Sequence, residues 1–411
     1  MLATLSPAVR QYLIVTGNYW AFTLTDGALR MLVVLYFHQL GYSALEVAML
    51  FLFYELFGVV TNLFGGWLGA RFGLNRTMNI GLGLQIAALS MLLVPPHWLS
   101  LVWVMVAQAL SGIAKDLNKM SAKSTIKLLV PDNQQGQLYR WVAILTGSKN
   151  TLKGVGFFLG GLLLTLLGFQ GAILAMAIGL GLVWLASLIS LKRDVGKAKF
   201  KPKFKDMWSK SRPINILAAA RLLLFGARDV WFVVALPVFL ASQLGWSNWL
   251  VGSFLAAWVI GYGVVQGLAP KLTQRSQIPE HRQARIWAMA LTLSPLAIAA
   301  ALWLGIAPAP SLVIGLMIFG VLFAINSSLH SYLIVAYARA DGVSMDVGFY
   351  YMANAAGRLL GTVLSGWVYQ QHGLVACLII SAALLLLSGI TVARLPERAD
   401  NSTFKVKTEK K

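Results

Sequence analysis

Twelve apolar segments of about 20 residues or more follow one another along the chain, and they constrain its fold more than any other feature. An apolar helix of that length crosses the hydrocarbon core of a lipid bilayer. The composition agrees, since 58% of the residues are hydrophobic and 12% are charged, whereas a soluble domain carries about 25% charged residues. We therefore predict an all-α membrane protein with twelve transmembrane helices. The segments are residues 12–38, 43–69, 77–95, 98–126, 139–167, 171–191, 214–241, 247–270, 284–305, 310–337, 345–370 and 374–393.

A polar stretch at residues 192–213 separates the first six apolar segments from the last six. The sequence QLGYS at residues 39–43 recurs as QLGWS at 243–247, and the same offset of 204 residues pairs Asn150 with Asn354. Internal repeats of this kind are common in membrane carriers. The repeat predicts two six-helix halves, at residues 1–191 and 214–394, around a cavity at the middle of the membrane. Residues 192–213 would form a basic linker, and residues 395–411 a basic tail.

The Lys and Arg residues between the apolar segments predict how the chain is oriented. Alternate connections, together with both termini, contain 25 of the 34 Lys and Arg residues, and the connections at the other end of the helices contain none. Loops rich in these residues stay on the cytoplasmic side of a membrane. We therefore predict a multi-pass protein of the cell inner (plasma) membrane with both termini, the linker and the tail in the cytoplasm. Bases near anionic lipid headgroups are expected there, so no nucleic-acid partner is predicted.

The other Lys and Arg residues fall inside the apolar segments, where one charged side chain costs about 2.5–3.5 kcal/mol at the centre of a helix. All of them together, if they faced lipid, would cost on the order of 25 kcal/mol, which exceeds the free energy of unfolding of a typical domain. They must therefore face water, one another or a ligand. The nine bases are Arg30, Lys115, Lys119, Lys123, Lys149, Lys153, Arg221, Arg228 and Arg358, and the four acids in the segments are Asp26, Glu55, Asp116 and Asp229.

Helical spacing places several of these charges on common faces; Lys115, Lys119 and Lys123, for example, recur every four residues. Each acid could form a structural ion pair, but nine bases and four acids leave five positive charges. A dry interior does not tolerate such a surplus, and Lys and Arg suit phosphate-like oxyanions. We therefore predict a water-filled anion site. Its expected substrate-binding residues are Arg30, Lys115, Lys119, Lys149, Lys153, Arg221, Arg228, Arg358, Asn118 and Asn150, with Asp26, Glu55, Asp116 and Asp229 in charge pairing or proton coupling.

The sequence contains no motif that would indicate an enzyme. The HExxH, G-x-S-x-G and nucleotide-loop patterns are all absent from it. The chain has a single cysteine, Cys377, which excludes a site built from several thiolates. We expect no enzymatic activity, no cofactor and no bound metal. Without a nucleotide loop, we also expect secondary transport rather than transport driven by ATP.

The connection between the second and third segments contains a recognisable pattern. Gly66, Arg71, Gly73 and Arg76 follow the G-x-L-x-D-R-x-G motif, with Ala70 in place of the acid. This pattern resembles the loop motif of the major facilitator superfamily, and the resemblance implies the twelve-helix fold and a gating role for the loop. The missing acid puts the usual acid-mediated latch in doubt. In the fifth segment, GFFLGG at residues 156–161 is similar to the G-P-x-x-G-G pattern of antiporters, with phenylalanine instead of proline.

Four further stretches carry a closer resemblance. They are TGNYWAFTLTDGALRMLVVL from Thr16, SGIAKDLNKMSAKSTIK from Ser111, LTGSKNTLKGVGFFLGG from Leu145 and ARLLLFGARDVWFVVALPVFL from Ala220. These stretches resemble the organoarsenical efflux permeases of the same superfamily (the ArsJ type). The resemblance implies export of 1-arseno-3-phosphoglycerate, which forms when glyceraldehyde-3-phosphate dehydrogenase uses arsenate instead of phosphate. The exported ester decomposes, so permease and dehydrogenase together give arsenate resistance; the dehydrogenase is a functional and not necessarily a physical partner.

The predicted anion site is compatible with more than one substrate. The arseno-ester carries a phosphate at one end and an arsenate at the other, which calls for several Lys and Arg. An organic phosphate of similar size, or inorganic phosphate or arsenate in an exchange reaction, would satisfy the same bases. A proton-coupled drug exporter fits less well, because cationic drugs prefer acidic or apolar pockets. A receptor or scaffold would need a soluble output domain, and the polar stretch at residues 192–212 is too short for one.

Overall fold

The computed structural model describes residues 6–42, 50, 52–131, 133–191, 195–199, 203, 207, 211–274 and 280–396. Every regular element in these residues is helical, which confirms the predicted all-α class for this part of the chain. A short 3-10 turn, Pro96–Trp98, precedes the fourth helix. The helices are α1 (Pro7–Gln39), α2 (Leu52–Phe72), α3 (Leu74–Met91), α4 (Leu101–Leu129), α5 (Gln135–Ser190), α6 (Arg212–Phe232), α7 (Ala235–Ser242), α8 (Asn248–Thr273), α9 (Glu280–Trp303), α10 (Pro308–Tyr337) and α11 (Val343–Val392).

Seven helical stretches of the described chain are long and apolar enough to cross a membrane. Large apolar side chains are exposed along them, including Leu166 at 68%, Leu182 at 65% and Leu293 at 67% of their surface. Extensive apolar surface of this kind suits contact with lipid rather than with water. The seven stretches are Pro7–Phe37, Gln135–Ser190, Arg212–Ser242, Leu250–Thr273, Glu280–Trp303, Pro308–Tyr337 and Val343–Val392.

Two of these stretches turn at a glycine near their middle. The backbone has φ 67° and ψ −179° at Gly168 in α5, and φ 73° and ψ −174° at Gly373 in α11. Only glycine adopts this combination without strain. A straight helix of 56 residues would be roughly 80 Å long, far more than the ~30 Å hydrocarbon core of a bilayer. The segment boundaries predicted from the sequence, 167 to 171 and 370 to 374, bracket both glycines.

The most extensive helix contacts lie within each part of the chain, between its first helix and its last. α1 lies along α5, α3 along α4, α6 along α11, and α9 against both α10 and α11. Helices from the two parts of the chain meet mainly where α5 packs on α8 and α2 packs on α11. Of the predicted linker, residues 195–199, 203, 207 and 211–213 are described, and of the predicted tail, residues 395–396. The rest of the linker and of the tail lies outside the described residues.

The apolar core differs between the two ends of the helices. At one end, called the basic end below, lie Arg71, Lys127 and Lys271 near the ends of α2, α4 and α8. The core at the basic end is one cluster that includes both parts of the chain, with Tyr139 stacked on Tyr332 at 4.7 Å between ring centroids. At the opposite end the described core forms two clusters, one within residues 22–180 and one within 224–385. The two halves are therefore joined at the basic end and have separate cores at the opposite end.

Glycines allow this close contact at the basic end. A methyl group at Gly147 of α5 would lie 2.5 Å from the backbone oxygen of Gly263 in α8. A methyl group at Gly66 of α2 would likewise lie 2.5 Å from the backbone oxygen of Ser344 in α11. The Ser344 hydroxyl donates a hydrogen bond of 2.7 Å to the Gly66 oxygen. Both crossings therefore bring backbone against backbone, which only glycine permits at these positions.

Candidate functional site

Charged side chains from α1, α4, α5, α6 and α11 lie between the core of the basic end and the two cores of the opposite end. On α4, Ala114 belongs to an opposite-end core and Met120 to the basic-end core, and Lys115, Asp116 and Lys119 lie between them. The site is therefore at the level where the two halves begin to separate. We call these side chains the cation cluster: Arg30, Lys115, Lys119, Lys123, Lys149, Lys153, Arg221, Arg228 and Arg358, with the acids Asp26, Asp116 and Asp229.

Electrostatic interactions connect the cation cluster across the two halves. Lys149 of α5 lies within electrostatic range of Lys119 of α4 and of Arg358 of α11. Lys153, one turn further along α5, lies within range of Arg30 of α1 and also of Arg358. Since the same arginine interacts with both lysines, the bases of the two halves face a common site.

The lysines of the amino-terminal half are surrounded by aromatic and polar groups. The Nζ atom of Lys115 lies 3.7 Å from the centroid of the Tyr54 ring, and the Arg30 guanidinium lies 4.9 Å from the same centroid. The Tyr54 hydroxyl donates to the two carboxylate oxygens of Asp26 at 2.8 and 3.0 Å, and Ser111 donates to one of them at 3.5 Å. Tyr54 therefore connects two cations to Asp26.

Salt bridges are sparse among these lysines. Lys119 pairs with Asp116, with 2.6 Å between Nζ and Oδ1. No described carboxylate forms a salt bridge with Lys115, Lys149 or Lys153. A half-buried ammonium group without a counterion is costly in an apolar environment. These three lysines are therefore the groups from which a bound anion would gain most.

The arginines of the carboxyl-terminal half have protein partners. The fully buried Asp229 accepts from Nε of Arg228 at 2.5 Å and from Nε of Arg358 at 3.1 Å. Arg221 donates to the side-chain oxygen of Asn354 at 2.9 Å. The ring of Phe225 lies 4.0 Å from the Arg221 guanidinium and 4.8 Å from that of Arg228. Pairing with Asp229 and contact with the ring hold these guanidinium groups in position.

Glycine contacts between helices bring these charges together. A methyl group at Gly27 of α1 would lie 2.8 Å from the backbone oxygen of Lys153 in α5. In the other half, a methyl group at Gly361 of α11 would lie 2.7 Å from the backbone oxygen of Gly226 in α6. Small residues permit such close approach of membrane helices. As a result, Lys153 lies beside α1, and Arg358 reaches the carboxylate on α6.

Tyr351 closes the cation cluster toward the basic end. The buried Lys123 ammonium donates to the Tyr351 hydroxyl, and Nζ of Lys119 lies 4.7 Å from the centroid of the Tyr351 ring. One turn further, Nζ of Lys127 donates to the backbone oxygen of Ala336 at 3.4 Å. These contacts connect α4 with α10 and α11, and they form a floor between the cluster and the basic end.

The two asparagines of the predicted site lie in different places. Asn150 donates to the side-chain oxygen of Gln266 at 2.6 Å and so bridges α5 and α8 beside the cluster. Asn118 donates to the backbone oxygen of Ala114 at 2.9 Å in its own helix and packs against Gly81 of α3. Asn118 is therefore outside the cation cluster. The side chain of Glu55 lies outside the described part of the chain.

The predicted gating loop packs against the linker. Gly73 has a φ of 100° and precedes α3, which contains the exposed Arg76. Arg71 is also exposed, and its guanidinium lies 4.9 Å from the Trp67 ring centroid. Ala70, where the motif has an acid, is fully buried, and its backbone oxygen accepts from the Ala198 amide at 2.8 Å. The backbone of the described part of the linker therefore contacts the loop at the position where the motif has an acid.

Several residues of the site are not among those predicted from the sequence. Tyr54 and Tyr351 each contact two bases of the cluster, and Phe225 contacts two arginines. A signal existed for the tyrosines, because a tyrosine within an apolar segment must find a partner for its hydroxyl when it is buried. Phenylalanine gives no such signal in a chain this rich in apolar residues.

The family model described as Major Facilitator Superfamily matches the chain at residues 15–279 and again at 217–411. The chain belongs to the Major Facilitator Superfamily. Members of this superfamily are multi-pass transporters of small molecules, not enzymes. The general predictions of a membrane protein and of a transporter are therefore confirmed.

Solved structures of the superfamily share the fold over nearly the whole chain. The human organic anion transporter MFSD10 has a TM-score of 0.73 at 15% identity, covering 94% of this chain and 100% of that one. The fucose:proton symporter FucP of E. coli has a TM-score of 0.74 at 11% identity, with 96% and 100% covered. A bacterial homologue of the iron transporter ferroportin, in an outward-facing state, has a TM-score of 0.73 at 14% identity, covering 94% of this chain and 99% of that one. No relative was found among curated proteins at a significant level. At these identities the likeness concerns the fold alone.

Proposed function

We propose that this member of the superfamily is a secondary transporter that exports a multiply charged organic oxyanion, and that its substrate is 1-arseno-3-phosphoglycerate. The observation that carries the proposal is the cation cluster. Its nine bases outnumber the acids at the level where the halves separate, and the apolar segments as a whole keep a surplus of five positive charges when Glu55 is counted. Such a surplus is stable only when water or an anion compensates it.

The distribution of the bases favours an anion with two charged ends. The lysines of α4 and α5 face the cluster from the amino-terminal half, and Arg228 and Arg358 face it from the other half. A molecule with a phosphate at one end and an arsenate at the other would bridge the two sets. Oxyanions of this type accept several charge-assisted hydrogen bonds at each end.

The arrangement of the cores is the one expected of an exporter whose cavity is open at the end opposite the basic end, where the substrate would be released. The halves share a core at the basic end and have separate cores at the opposite end. We assign the basic end to the cytoplasm, because loops rich in Lys and Arg stay on that side. On this assignment the cation cluster is closed to the cytoplasm by the contacts of Tyr351 and of the glycine crossings. Alternating access would then close the opposite end and open the basic end for loading.

The turns at Gly168 and Gly373 support a count of twelve membrane crossings with both termini in the cytoplasm. Each divides an over-long helix into two lengths that suit a bilayer. The proposed arrangement is two six-helix halves, at residues 1–191 and 214–394, in the cell inner membrane. The four stretches that resemble the organoarsenical efflux permeases contribute most bases of the cluster. Together with glyceraldehyde-3-phosphate dehydrogenase as functional partner, the protein would give arsenate resistance.

Uptake into everted membrane vesicles tests the substrate. Vesicles containing the protein receive arsenate, glyceraldehyde-3-phosphate and NAD, with or without the dehydrogenase, and the accumulated arsenic is counted. We expect accumulation only when the dehydrogenase is present, and none in vesicles without the protein. Accumulation from arsenate alone would contradict an ester substrate and identify an inorganic oxyanion carrier.

Substitution of the lysines tests the site. We expect Lys115→Gln and Lys153→Gln each to abolish uptake while the protein is still inserted in the membrane, and Lys153→Arg to retain part of it. Normal uptake by both glutamine variants would refute the assignment of the cation cluster as substrate site.

A second candidate is the exchange of ordinary organic phosphates, or of inorganic phosphate and arsenate. It is favoured by the same three lysines, since an ammonium group without a carboxylate partner binds any phosphate oxygen. Competition by phosphate esters in arsenate-free vesicles distinguishes the two candidates. A proton-coupled drug exporter is disfavoured because five surplus positive charges repel cationic drugs.

A further inference from the structure

A groove on the membrane-facing surface at the basic end lies outside the cation cluster. It runs between α1 and α5 up to the end of α8, and its volume is about 710 Å³. An adjoining recess of about 350 Å³ shares Arg140 and Gln274 with it and adds Lys271. The groove therefore lies at the seam between the two halves.

The wall of the groove is apolar, and contacts between its aromatic side chains and their neighbours fix its shape. Tyr12 of α1 stacks on Trp141 of α5, with 4.2 Å between the ring centroids. Leu13 and Trp20 line the same groove and are 43% and 39% exposed. The indole nitrogen of Trp20 donates to the Ser148 hydroxyl at 2.7 Å. Such a surface suits an acyl chain lying along α1 and α5.

Two bases, one from each half, lie where the groove meets the adjoining recess. Arg140 belongs to α5 and Lys271 to α8, and both are exposed. Neither forms a hydrogen bond or a salt bridge with any residue that the structure describes. Beside them, the Gln274 side chain donates to the backbone oxygen of Gly136 at 2.9 Å, which connects the ends of α8 and α5. The two cations would complement the negative charge of a lipid phosphate, and the apolar wall next to them would contact its acyl chain.

We propose that this groove binds an anionic phospholipid of the leaflet at the basic end. The lipid phosphate lies between Arg140 and Lys271, and one acyl chain follows Leu13, Trp20 and Trp141. An anionic lipid is preferred to a zwitterionic one because its headgroup keeps a net negative charge that the two bases can neutralise.

The position of the groove gives the lipid a role in the transport cycle. Arg140 and Lys271 belong to different halves, next to the crossing at which Gly147 meets Gly263. A single phosphate that contacts both bases ties the halves together at the basic end. A ligand that binds one conformation better than another shifts the population toward that conformation. The lipid therefore stabilises the state in which the basic end is closed.

Native mass spectrometry of the full-length protein tests the binding. The protein is delipidated in detergent and titrated with phosphatidylglycerol or with phosphatidylcholine of the same acyl chains. We expect at least fivefold more bound phosphatidylglycerol for the wild type, and a loss of this preference in Arg140→Gln/Lys271→Gln. The matched control Arg285→Gln/Arg394→Gln removes two exposed bases elsewhere at the basic end and retains the preference. Equal binding of the two lipids by the wild type, or an unchanged preference in the first double variant, would overturn the proposal.

A second measurement distinguishes a lipid from a free phosphate. We expect Leu13→Glu to weaken phosphatidylglycerol binding, because it places a carboxylate on the acyl wall, and soluble glycerol phosphate to leave the bound lipid undisturbed at equal concentration. Displacement of the lipid by glycerol phosphate, or full binding by Leu13→Glu, would show an adventitious anion contact at the two bases and refute a lipid site. All substituted side chains are exposed, and size-exclusion chromatography verifies that each variant is folded.

Discussion

The two halves of the protein hold their intramembrane charges in different ways. In the amino-terminal half, no described carboxylate pairs with Lys115, Lys149 or Lys153. In the carboxyl-terminal half, Asp229 accepts from both Arg228 and Arg358. A paired arginine is stabilised by the protein itself, whereas an unpaired lysine depends on water or on a ligand. We therefore propose that the amino-terminal lysines supply most of the affinity for an anion and that the carboxyl-terminal arginines supply its orientation.

The chemistry of the two side chains fits this division. An arginine presents a planar fork of donors that can serve Asp229 with one edge and a substrate oxyanion with another. A lysine is a compact point charge on a flexible chain. Arg221 and Arg228 are also restrained by the Phe225 ring, whereas Lys153 lies 5.9 Å from the Phe157 ring centroid and Lys149 forms no salt bridge with a described carboxylate. Four substitutions can break or sharpen this comparison.

The largest effect is expected from Asp229→Asn. Removing the shared carboxylate leaves two guanidinium groups without a counterion, and breaking a buried ion pair costs about 3–5 kcal/mol. Asp26→Asn should cost only about 1 kcal/mol, because an amide oxygen can still accept from Tyr54. Thermal unfolding in detergent, followed by tryptophan fluorescence, measures both. Adding Arg358→Gln to Asp229→Asn should recover part of the stability; equal destabilisation by the two aspartate substitutions would contradict the comparison.

Lys149→Gln should have the next largest effect, and on transport rather than on stability. Losing one charge that contacts the substrate anion costs about 2–3 kcal/mol of binding, which corresponds to roughly a 100-fold loss of uptake at low substrate concentration. The unfolding temperature without substrate should not fall, because the change relieves repulsion from Lys119 and Arg358. Vesicle uptake and thermal unfolding test the two statements, with the exposed Lys199→Gln as control. A fall in unfolding temperature would show that Lys149 is structural.

Substrate-dependent stabilisation should be smaller and should depend on the lysines. A ligand at ten times its dissociation constant stabilises the folded state by about 1.4 kcal/mol. We expect 3-phosphoglycerate, which carries two anionic groups, to raise the unfolding temperature of the wild type and not that of Lys153→Gln. The matched control is a neutral triol, glycerol, at the same concentration. An equal rise in the variant would place the anion away from the amino-terminal lysines.

Gly147→Ala should give the smallest measured change, a difference in labelling rate, because it loosens the contact that holds the halves together. The added methyl group meets the backbone of Gly263, and such overpacking costs about 1–3 kcal/mol, which favours separation of α5 from α8. The readout is maleimide labelling of Ala336→Cys, a buried position at the basic end, in a Cys377→Ser background. We expect severalfold faster labelling, and no change with Gly179→Ala, where nothing lies within 4 Å of an added methyl group.

The gathering of the charges could be predicted from the sequence, because nine bases inside apolar segments cannot face lipid. The turns at Gly168 and Gly373 could also be bracketed, since the apolar stretches are longer than a bilayer is thick. The choice of partners could not be predicted. Nothing in the sequence selects the partners of Arg221, which donates to Asn354 and Ser327.

Such contacts depend on how each helix is rotated about its own axis. The spacing of residues along one helix does not determine this rotation. Asn118 is adjacent to Lys119 in sequence, yet its amide packs against Gly81 of α3, where an added methyl group would clash with the amide nitrogen. Tyr54 is buried, and its role follows from the contact of α2 with α4. Residues whose role depends on contact with another helix, such as Tyr54, therefore cannot be predicted from the spacing within one segment of the sequence.

The positive charge of the cluster also bears on how well the membrane is insulated. A pathway lined by surplus Lys and Arg raises an electrostatic barrier to protons and metal cations, as single arginines do in water channels. The floor formed by Lys123 and Tyr351 continues this barrier toward the basic end. Under the proposed function, an anion would cross without opening a leak for the ions that store the cell's energy, and the groups that select the cargo would also preserve the membrane potential.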